Sequence, residues 1–263
     1  MKTRTPVVAA IAGVALVAAA CGGSSSGGKA SAPGVTAKEI VLGSHQPLTG
    51  PAAPGYSEIA PAAQAYFNYV NAHGGVNGRK ITLKYRDDGY DPSKTSSVVR
   101  QLVLQDKVFA LLDGLGTPTH SAVLGFVNSQ KVPDLFVASG CTCWNNQGKY
   151  PQTFGWQLDY VREGKILGQY LKQNFAGKKI GYFSQDDEFG QDGVKGLDQE
   201  IPKSSVVARQ TYQPGNTNVG PQVAALKAAG AEVVVSFSIP AFTALFRLTS
   251  LKLGYNPQLA VSN

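Results

Sequence analysis

Residues that could perform chemistry are concentrated where apolar strand patterns end. One such segment, 113–121, reads DGLGTPTHS and follows the apolar run 108–112. A dinucleotide-binding G-x-G-x-x-G motif would need its third glycine where the chain has Thr119, and Pro118 stiffens the turn. Glycine backbone N–H groups, two threonine hydroxyls and a helix N-terminus suit an anion instead. We therefore predict a pocket for the carboxylate of a small molecule.

A second polar segment contains three consecutive acidic residues, Asp186, Asp187 and Glu188. Such a cluster could bind a metal, but it precedes a predicted helix, whose N-terminal end favours acidic side chains, and we adopt this interpretation. A G-x-S-x-G match at Ser25 lacks the strand and helix that a nucleophile elbow needs. The sequence shows neither a Ser-His-Asp set nor a phosphate loop. We predict no enzymatic activity, no catalytic residue, no metal and no cofactor.

Cys141 and Cys143 form a C-x-C pair in the segment 138–144, which reads ASGCTCW. In an oxidising compartment the two cysteines could form a local disulfide; otherwise they are two small, partly buried thiols. The sequence leaves both alternatives open. Metal binding is disfavoured, because the three histidines have no ligand spacing relative to this pair.

Secondary-structure signals place these segments in an open α/β fold. In the stretch 71–91 a helical pattern ends in His73-Gly74-Gly75, where glycine can adopt the left-handed conformation of a helix C-cap. A strand with alternating apolar residues follows at 81–85. Asp91 and Pro92 then suit the N-cap and the first position of the next helix. A helix, a strand and a helix joined by tight turns are typical of α/β sheets.

The elements before this stretch follow the same alternation. We predict a short buried strand at 40–43, a loop at 44–51 and a helix at 56–72. Apolar residues share one face of that helix at helical spacing, so we expect this face to contact the core. The residues of the face are Ala62, Ala65, Tyr66, Tyr69 and Val70.

The first 21 residues have the pattern of an export signal. Lys2 and Arg4 form a charged region, and the apolar run that follows has roughly 14 residues, fewer than the roughly 20 of a spanning helix. Small residues precede Cys21 as in a bacterial lipoprotein box, so we expect cleavage before Cys21 and its lipidation. The alternative is an ordinary signal with an incidental cysteine. Residues 22–37 are predicted to form a flexible tether.

The composition is that of a soluble globular protein, with 43% hydrophobic and 16% charged residues in a chain of 263. The formal net charge is +7, and basic residues alternate with acidic ones without forming a run. A nucleic-acid-binding surface is therefore not predicted.

Several segments resemble the extracellular solute-binding proteins of the leucine/isoleucine/valine-binding type. The resemblance begins near position 39 and is carried by GGVNGRKI at 74–81, the DD and DP pairs at 87–92, and QDKVFALL at 105–112. It implies an α/β, two-lobed type 1 periplasmic-binding-protein fold, in which each lobe is a mostly parallel sheet flanked by helices.

The same resemblance implies a division of the chain. We assign 38–153 to the first ligand-binding lobe and 154–263 to a second lobe. Because family chains continue beyond the corresponding strand, we expect this second lobe to be incomplete and the C-terminal part to be missing.

Ligand contacts follow from the resemblance by position. Family members bind the α-carboxylate at the glycine turn, add backbone and hydroxyl contacts after the next strand, and place apolar or aromatic residues from the second lobe against the ligand. The matching positions here are Leu115, Thr117, Gly140, Cys141, Thr142, Phe189, Ser238 and Ile239.

The resemblance implies capture of a small ligand by hinge closure near Trp156 and its presentation to an ABC permease in the membrane. The expected ligand is a branched-chain or other aliphatic amino acid. Cys141 and Ile239 depart from the family pattern, which leaves an amide, a urea-like compound or an aromatic acid open. A sensor domain for a signalling partner is the alternative role. We expect an extracytoplasmic, lipid-anchored monomer that binds no nucleic acid.

Overall fold

A computed structural model describes residues 32–262, so the predicted signal, Cys21 and positions 22–31 of the tether lie outside the described residues. Within this range the chain forms two sheets whose neighbouring strands are parallel. We call each sheet with its helices a lobe. None of the helices found between residues 32 and 262 is long and apolar enough to cross a membrane.

The first lobe contains a five-stranded sheet in the order β2-β1-β3-β4-β5. Its strands are β1 (Glu39–Gln46), β2 (Lys80–Asp87), β3 (Ala110–Leu112), β4 (Asp134–Val137) and β5 (Thr153–Gly155). Its helices are α1 (Ala53–Tyr56), α2 (Ile59–Ala72), α3 (Pro92–Arg100), which continues as a π-helical turn at Gln101–Gln105, and α4 (Thr117–Ser129). Because β5 pairs with β4, the first sheet ends two residues beyond the predicted lobe boundary.

The turn signals around β2 are confirmed. Gly74 has φ +98°, as a left-handed C-cap requires. The Asp91 side chain accepts hydrogen bonds from the backbone N–H groups of Ser93 and Lys94, and Pro92 begins α3. These local rules depend on neighbouring residues only, which is why the sequence could predict them.

The loop predicted at 44–51 begins too early. Ser44, His45 and Gln46 belong to β1 and are almost completely buried. Their side chains form hydrogen bonds inside the lobe, which allows three polar residues to extend a buried strand.

The predicted core face of α2 is wrong at every position except Val70. Ala62 and Ala65 are exposed, and 64% of Tyr66 and 61% of Tyr69 is exposed. The more buried face carries Ile59, Ala60, Ala63, Phe67 and Val70. Since both faces are apolar at helical spacing, periodicity could not choose between them.

The second lobe contains a four-stranded sheet in the order β7-β6-β8-β9. Its strands are β6 (Ile180–Gln185), β7 (Val206–Tyr212), β8 (Val233–Phe237) and β9 (Gln258–Val261). Its helices are α5 (Tyr160–Asn174), α6 (Glu188–Leu197), α7 (Gly220–Ala228) and α8 (Pro240–Lys252). Every residue of β6 and β8 is buried, because helices cover both faces of a parallel sheet.

Candidate functional site

A cavity of about 330 Å³ lies between the two lobes, at the carboxyl ends of their strands. Open α/β sheets commonly bind ligands in this position. We call it the cleft cavity. Its lining residues are Tyr56, Ile59, Tyr90, Leu115, Gly116, Thr117 and Ala138 from the first lobe and Gln157, Tyr160, Phe189 and Ile239 from the following part of the chain.

One polar part of the lining of the cleft cavity is the start of α4. Gly116 is the N-cap with φ +103° and has no side chain to satisfy the first backbone N–H groups of the helix. Thr117, the first helical residue, is 2% exposed, and its hydroxyl lies 2.6 Å from that of Ser139. A helix N-terminus with a hydroxyl beside it can bind a carboxylate.

The turn before α4 tolerates only glycine at position 116. A Cβ there would lie 2.5 Å from the Thr119 hydroxyl and 2.6 Å from the Tyr90 ring, and φ is in the left-handed region. The Thr119 hydroxyl also donates a 2.6 Å hydrogen bond to the Leu115 carbonyl. Contacts within the chain therefore fix the shape of the turn.

Aromatic rings form much of the cavity wall. The rings of Tyr160 and Phe189 lie 4.6 Å apart, and Phe237 packs behind both. The pKa of Tyr160 is raised, because the effect of burial exceeds the lowering by hydrogen bonds with the Gly140 backbone and the Ser139 hydroxyl. Tyr160 is thus a neutral phenol next to Thr117. None of the described residues that line the cavity carries a formal charge at neutral pH.

Hydrogen bonds join the lobes around the cavity. The Gln185 side chain donates to the Tyr90 hydroxyl at 3.1 Å, inside the buried region. The backbone N–H and hydroxyl of Thr142 both donate to Asp192 on α6 at 3.0 Å. The structure is therefore a conformation in which the lobes touch.

The structure brings four of the eight predicted contact residues together. Leu115, Thr117, Phe189 and Ile239 line the cleft cavity. Ser238 lines a neighbouring, wider cavity of about 760 Å³, and its hydroxyl pairs with those of Ser236 and Thr243.

The remaining predicted contacts do not line the cleft cavity. Gly140 supports Tyr160, since its carbonyl accepts the Tyr160 N–H at 2.7 Å and a Cβ would collide with the Tyr160 ring. Thr142 is exposed and bonded to Asp192. Cys141 is buried, and a disulfide joins it to Cys143, which is one of the two alternatives the sequence left open.

Sequence reasoning missed most of the aromatic wall. Tyr56, Tyr90 and Tyr160 belong to a turn-like helix, a loop and a helix start, where tyrosine has no distinctive spacing. Tyr90 has φ +60°, which is rare for a ring residue, but only the structure shows this. The usable signal for Tyr90 was its position in the loop that follows β2.

The acidic cluster lies where a helix-start interpretation places it. Asp187 is the N-cap of α6, and its carboxylate accepts the Phe189 N–H at 2.9 Å. Burial raises its pKa, with opposing contributions from the Gln185 and Phe189 hydrogen bonds. No group of three or more metal-ligating side chains is found between residues 32 and 262.

Asp113 carries the first testable prediction. Burial raises its pKa to about 6. Since this folded-state pKa lies above the unfolded value, the stability linked to the neutral acid is complete below about pH 4 and is lost as pH rises through about 6. We expect Asp113→Asn to raise the free energy of unfolding by about 1 kcal/mol at pH 8, discounted for partial exposure.

Urea unfolding of both proteins at pH 8 and pH 4 checks this prediction. Asparagine tolerates the φ of +55° at this position, so the backbone should not change. The gain in the free energy of unfolding should vanish at pH 4, where Asp113 of the folded wild type is also neutral. An equal gain at both pH values would contradict the assignment to ionisation.

Comparison with known proteins establishes the family. A family model described as periplasmic binding protein matches residues 39–262. Leu/Ile/Val-binding protein homolog 3 of Brucella melitensis is 25% identical over 206 residues, which cover 74% of this chain and 53% of that protein. The chain belongs to the periplasmic binding protein family, and the predicted resemblance to the leucine/isoleucine/valine-binding type is confirmed.

Solved structures confirm the two-lobed type 1 fold. A fatty acid ABC transporter substrate-binding protein from Thermomonospora curvata is 26% identical, with a TM-score of 0.77 over 88% of this chain and 59% of that one. The branched-chain amino acid transporter substrate binding protein LivJ from Streptococcus pneumoniae, in complex with isoleucine, is 20% identical, with a TM-score of 0.74 over 85% and 64%. The chain thus spans about half to two thirds of the proteins it matches.

Proposed function

We propose that this chain captures a small carboxylate-bearing ligand in the cleft cavity and delivers it to an ABC permease. The most favoured ligand is a branched-chain or other aliphatic amino acid. Lipidation of Cys21 would hold the protein at the outer face of the membrane. The carrying observation is the lining of the cavity, which combines Thr117 and the start of α4 with apolar and aromatic side chains.

An amino acid fits the chemistry of this lining. Its carboxylate would accept hydrogen bonds from Thr117 and the first N–H groups of α4. Its side chain would contact Leu115, Phe189 and Ile239, three buried apolar residues. The faces of the cavity tyrosines can bind an ammonium group by cation–π interaction. The names of the matched Brucella and Streptococcus proteins support this ligand class.

An aromatic acid is the second candidate ligand. The observation that favours it is the ring-lined wall formed by Tyr90, Tyr160 and Phe189, combined with the lack of a formal charge among the described lining residues. A flat ring carrying a carboxylate could stack there and use the same anion site. This candidate keeps the transporter role and changes only the ligand.

Thermal unfolding with a matched panel tests the proposal. The panel contains leucine, isoleucine, valine, 3,4-dihydroxybenzoate, leucinamide, which lacks the carboxylate, and 4-methylpentanoate, which lacks the ammonium group. A ligand at a hundred times its dissociation constant adds about 2.7 kcal/mol, which should raise the Tm by about 5–10 °C.

The pattern of stabilisation decides between the candidates. A rise with leucine, isoleucine and valine but not with leucinamide supports the amino-acid proposal. If 4-methylpentanoate stabilised the protein as strongly as leucine does, the ammonium group of the ligand would contribute nothing to binding. A rise with 3,4-dihydroxybenzoate alone would select the aromatic acid. Stabilisation by leucinamide equal to that by leucine would contradict the carboxylate site at α4.

A further inference from the structure

A hydrogen-bonded contact between the lobes lies outside the cleft cavity. The backbone N–H and the hydroxyl of Thr142 both donate to the same carboxylate oxygen of Asp192, each at 3.0 Å. Thr142 lies between β4 and β5 of the first lobe, and Asp192 lies on α6 of the second lobe. Neither residue lines the cleft cavity, so the proposed function leaves this contact without a role.

A disulfide constrains the first-lobe half of this contact. The bond joins Cys141 to Cys143, so the covalent ring that it closes contains the backbone N, Cα and C atoms of Thr142. Such a small ring leaves the Thr142 backbone few conformations, and its N–H is held in one direction. Because this segment has already lost much of its conformational entropy, the contact with Asp192 costs less to form when the lobes close.

The disulfide is anchored in the first lobe and connected to the proposed carboxylate site. Cys141 is 3% exposed and packs in a cluster with Val137 and Trp144. Its backbone N–H donates to the Ser139 hydroxyl at 3.3 Å, and that hydroxyl lies 2.6 Å from the hydroxyl of Thr117. The first-lobe half of the contact therefore has a defined position relative to Thr117.

The second-lobe half of the contact belongs to a helix that also lines the cleft cavity. Asp192 follows Phe189 by three positions on α6, so the two side chains lie on one face of this helix. Phe189 lines the cleft cavity. Helix α6 is packed closely into the second lobe, because a Cβ on Gly193 would overlap the Phe237 ring. The bond between Asp192 and Thr142 therefore holds the second lobe, with Phe189, against the cavity.

We propose that Asp192 is a positioning residue that holds the cleft closed, and that the Cys141–Cys143 disulfide orients Thr142 to donate to it. Because both lobes enclose the cavity, ligand affinity depends on the equilibrium between open and closed conformations. Loss of either the carboxylate or the disulfide therefore weakens ligand binding. This effect on affinity rests on the proposed function, whereas the coupling between the disulfide and the Thr142–Asp192 contact does not.

The first test needs no ligand and follows hydrogen exchange of the Thr142 amide by NMR. The full chain carries Cys21→Ser, which leaves Cys141 and Cys143 as its two cysteines. Dithiothreitol supplies two electrons and two protons, so the disulfide becomes two thiols while the reductant becomes a cyclic disulfide. Cys143 is only partly buried, so the reagent can approach the pair. We expect the Thr142 amide to exchange about tenfold faster after reduction and to regain its protection after reoxidation.

Substitutions on α6 identify the group that protects this amide. Asp192→Ala should give the same faster exchange in the oxidised protein, and its reduction should add little, because the acceptor is already absent. Asp192→Glu keeps a carboxylate and should retain part of the protection. The matched control is Glu188→Ala, which removes an exposed carboxylate from the first turn of the same helix. Exchange of the Thr142 amide that is unchanged by Asp192→Ala, or equally accelerated by Glu188→Ala, would overturn the proposal.

The second test measures binding of isoleucine, or of 3,4-dihydroxybenzoate if that acid alone stabilises the protein. We expect Asp192→Ala to lower the affinity about threefold to tenfold, mainly by faster dissociation, since a hydrogen bond to an exposed carboxylate contributes less than a buried one. Asp192→Glu should recover part of the loss, and Glu188→Ala should bind as wild type does. The Tm of the ligand-free protein should change little, which separates positioning from a general loss of stability.

Reduction then tests the coupling in the same assay. It should lower the affinity of the wild type as much as Asp192→Ala does, and it should lower the affinity of Asp192→Ala hardly further. Additive losses would contradict the coupling, and unfolding of the reduced protein would contradict a local role of the disulfide. Unchanged affinity in Asp192→Ala would overturn the positioning role. If neither probe binds, the proposed function fails on its own account, and amide exchange still decides whether the disulfide orients Thr142 towards Asp192.

Discussion

Thr117→Val is expected to weaken binding of a carboxylate ligand by about tenfold to a hundredfold. The hydroxyl that is removed lies at the start of α4 in the cleft cavity and can donate to the carboxylate. A hydrogen bond to a charged group contributes about 1.5–3 kcal/mol, which is the source of this range. Valine has nearly the same shape, so the cavity keeps its volume. Calorimetric titration of wild type and variant with the acid that the panel identifies measures the effect.

The matched control is Ser139→Ala. Ser139 bonds the Thr117 hydroxyl at 2.6 Å but does not line the cleft cavity. Its removal should weaken binding only a few-fold, while both variants lose a similar amount of stability. Equal losses of affinity in the two variants would show that the Thr117 hydroxyl supports the turn and does not contact the ligand.

Gly196→Ala is expected to destabilise the second lobe by about 2 kcal/mol. A Cβ at this position on α6 would overlap the Val161 carbonyl oxygen and the backbone of α5. Because backbone atoms cannot rotate away, the two helices would have to separate. Overpacking costs about 1–3 kcal/mol or more and is offset by the gain of about 1 kcal/mol from helix propensity. The expected fall in Tm is about 4–8 °C.

Gly125→Ala is the control for this substitution. Gly125 lies within α4, and a Cβ there meets no atom within 4 Å. The same chemical change should therefore raise the free energy of unfolding by about 0.5–1 kcal/mol, since alanine favours the helix. Thermal unfolding of the two variants should show changes in Tm of opposite sign relative to wild type. A stabilising effect of Gly196→Ala would mean that α5 and α6 do not pack as closely as the structure shows.

The α5–α6 contact also explains a limit of sequence reasoning. Gly164, Gly193 and Gly196 lie inside helices, where a Cβ would meet the neighbouring helix or the Phe237 ring. Sequence propensity ranks these glycines as helix-weakening residues. Glycine occupies these positions because two helices approach closely, and this contact involves residues distant in the chain.

Local chemistry predicted several features of the fold correctly. The glycine cap after α2, the Asp91–Pro92 start of α3 and the acidic start of α6 each depend on a few consecutive residues. The glycine turn and helix start at 113–121 follow equally from residues adjacent in sequence, and anion binding at this turn stays a prediction. The resemblance to a known family then supplied the two-lobed arrangement.

Contacts between distant segments explain what was missed. The buried face of α2 depends on which side the sheet lies, and Tyr56, Tyr90 and Tyr160 meet only when three separate elements converge. Thr142 finds Asp192 fifty positions away. The His45–His120 contact joins β1 to α4 across 75 positions, and nothing in the spacing of the histidines predicts it.

The sequence by itself therefore determined the alternation of strands and helices, the turns between them and the helix start that can bind an anion. These features arise from backbone preferences and hydrogen bonds within a few residues. Only the tertiary structure decided which apolar faces are buried, which rings surround the cleft cavity and which buried polar side chains meet. Those outcomes depend on distances between side chains that the chain brings together from far apart, and burial makes the resulting contacts strong.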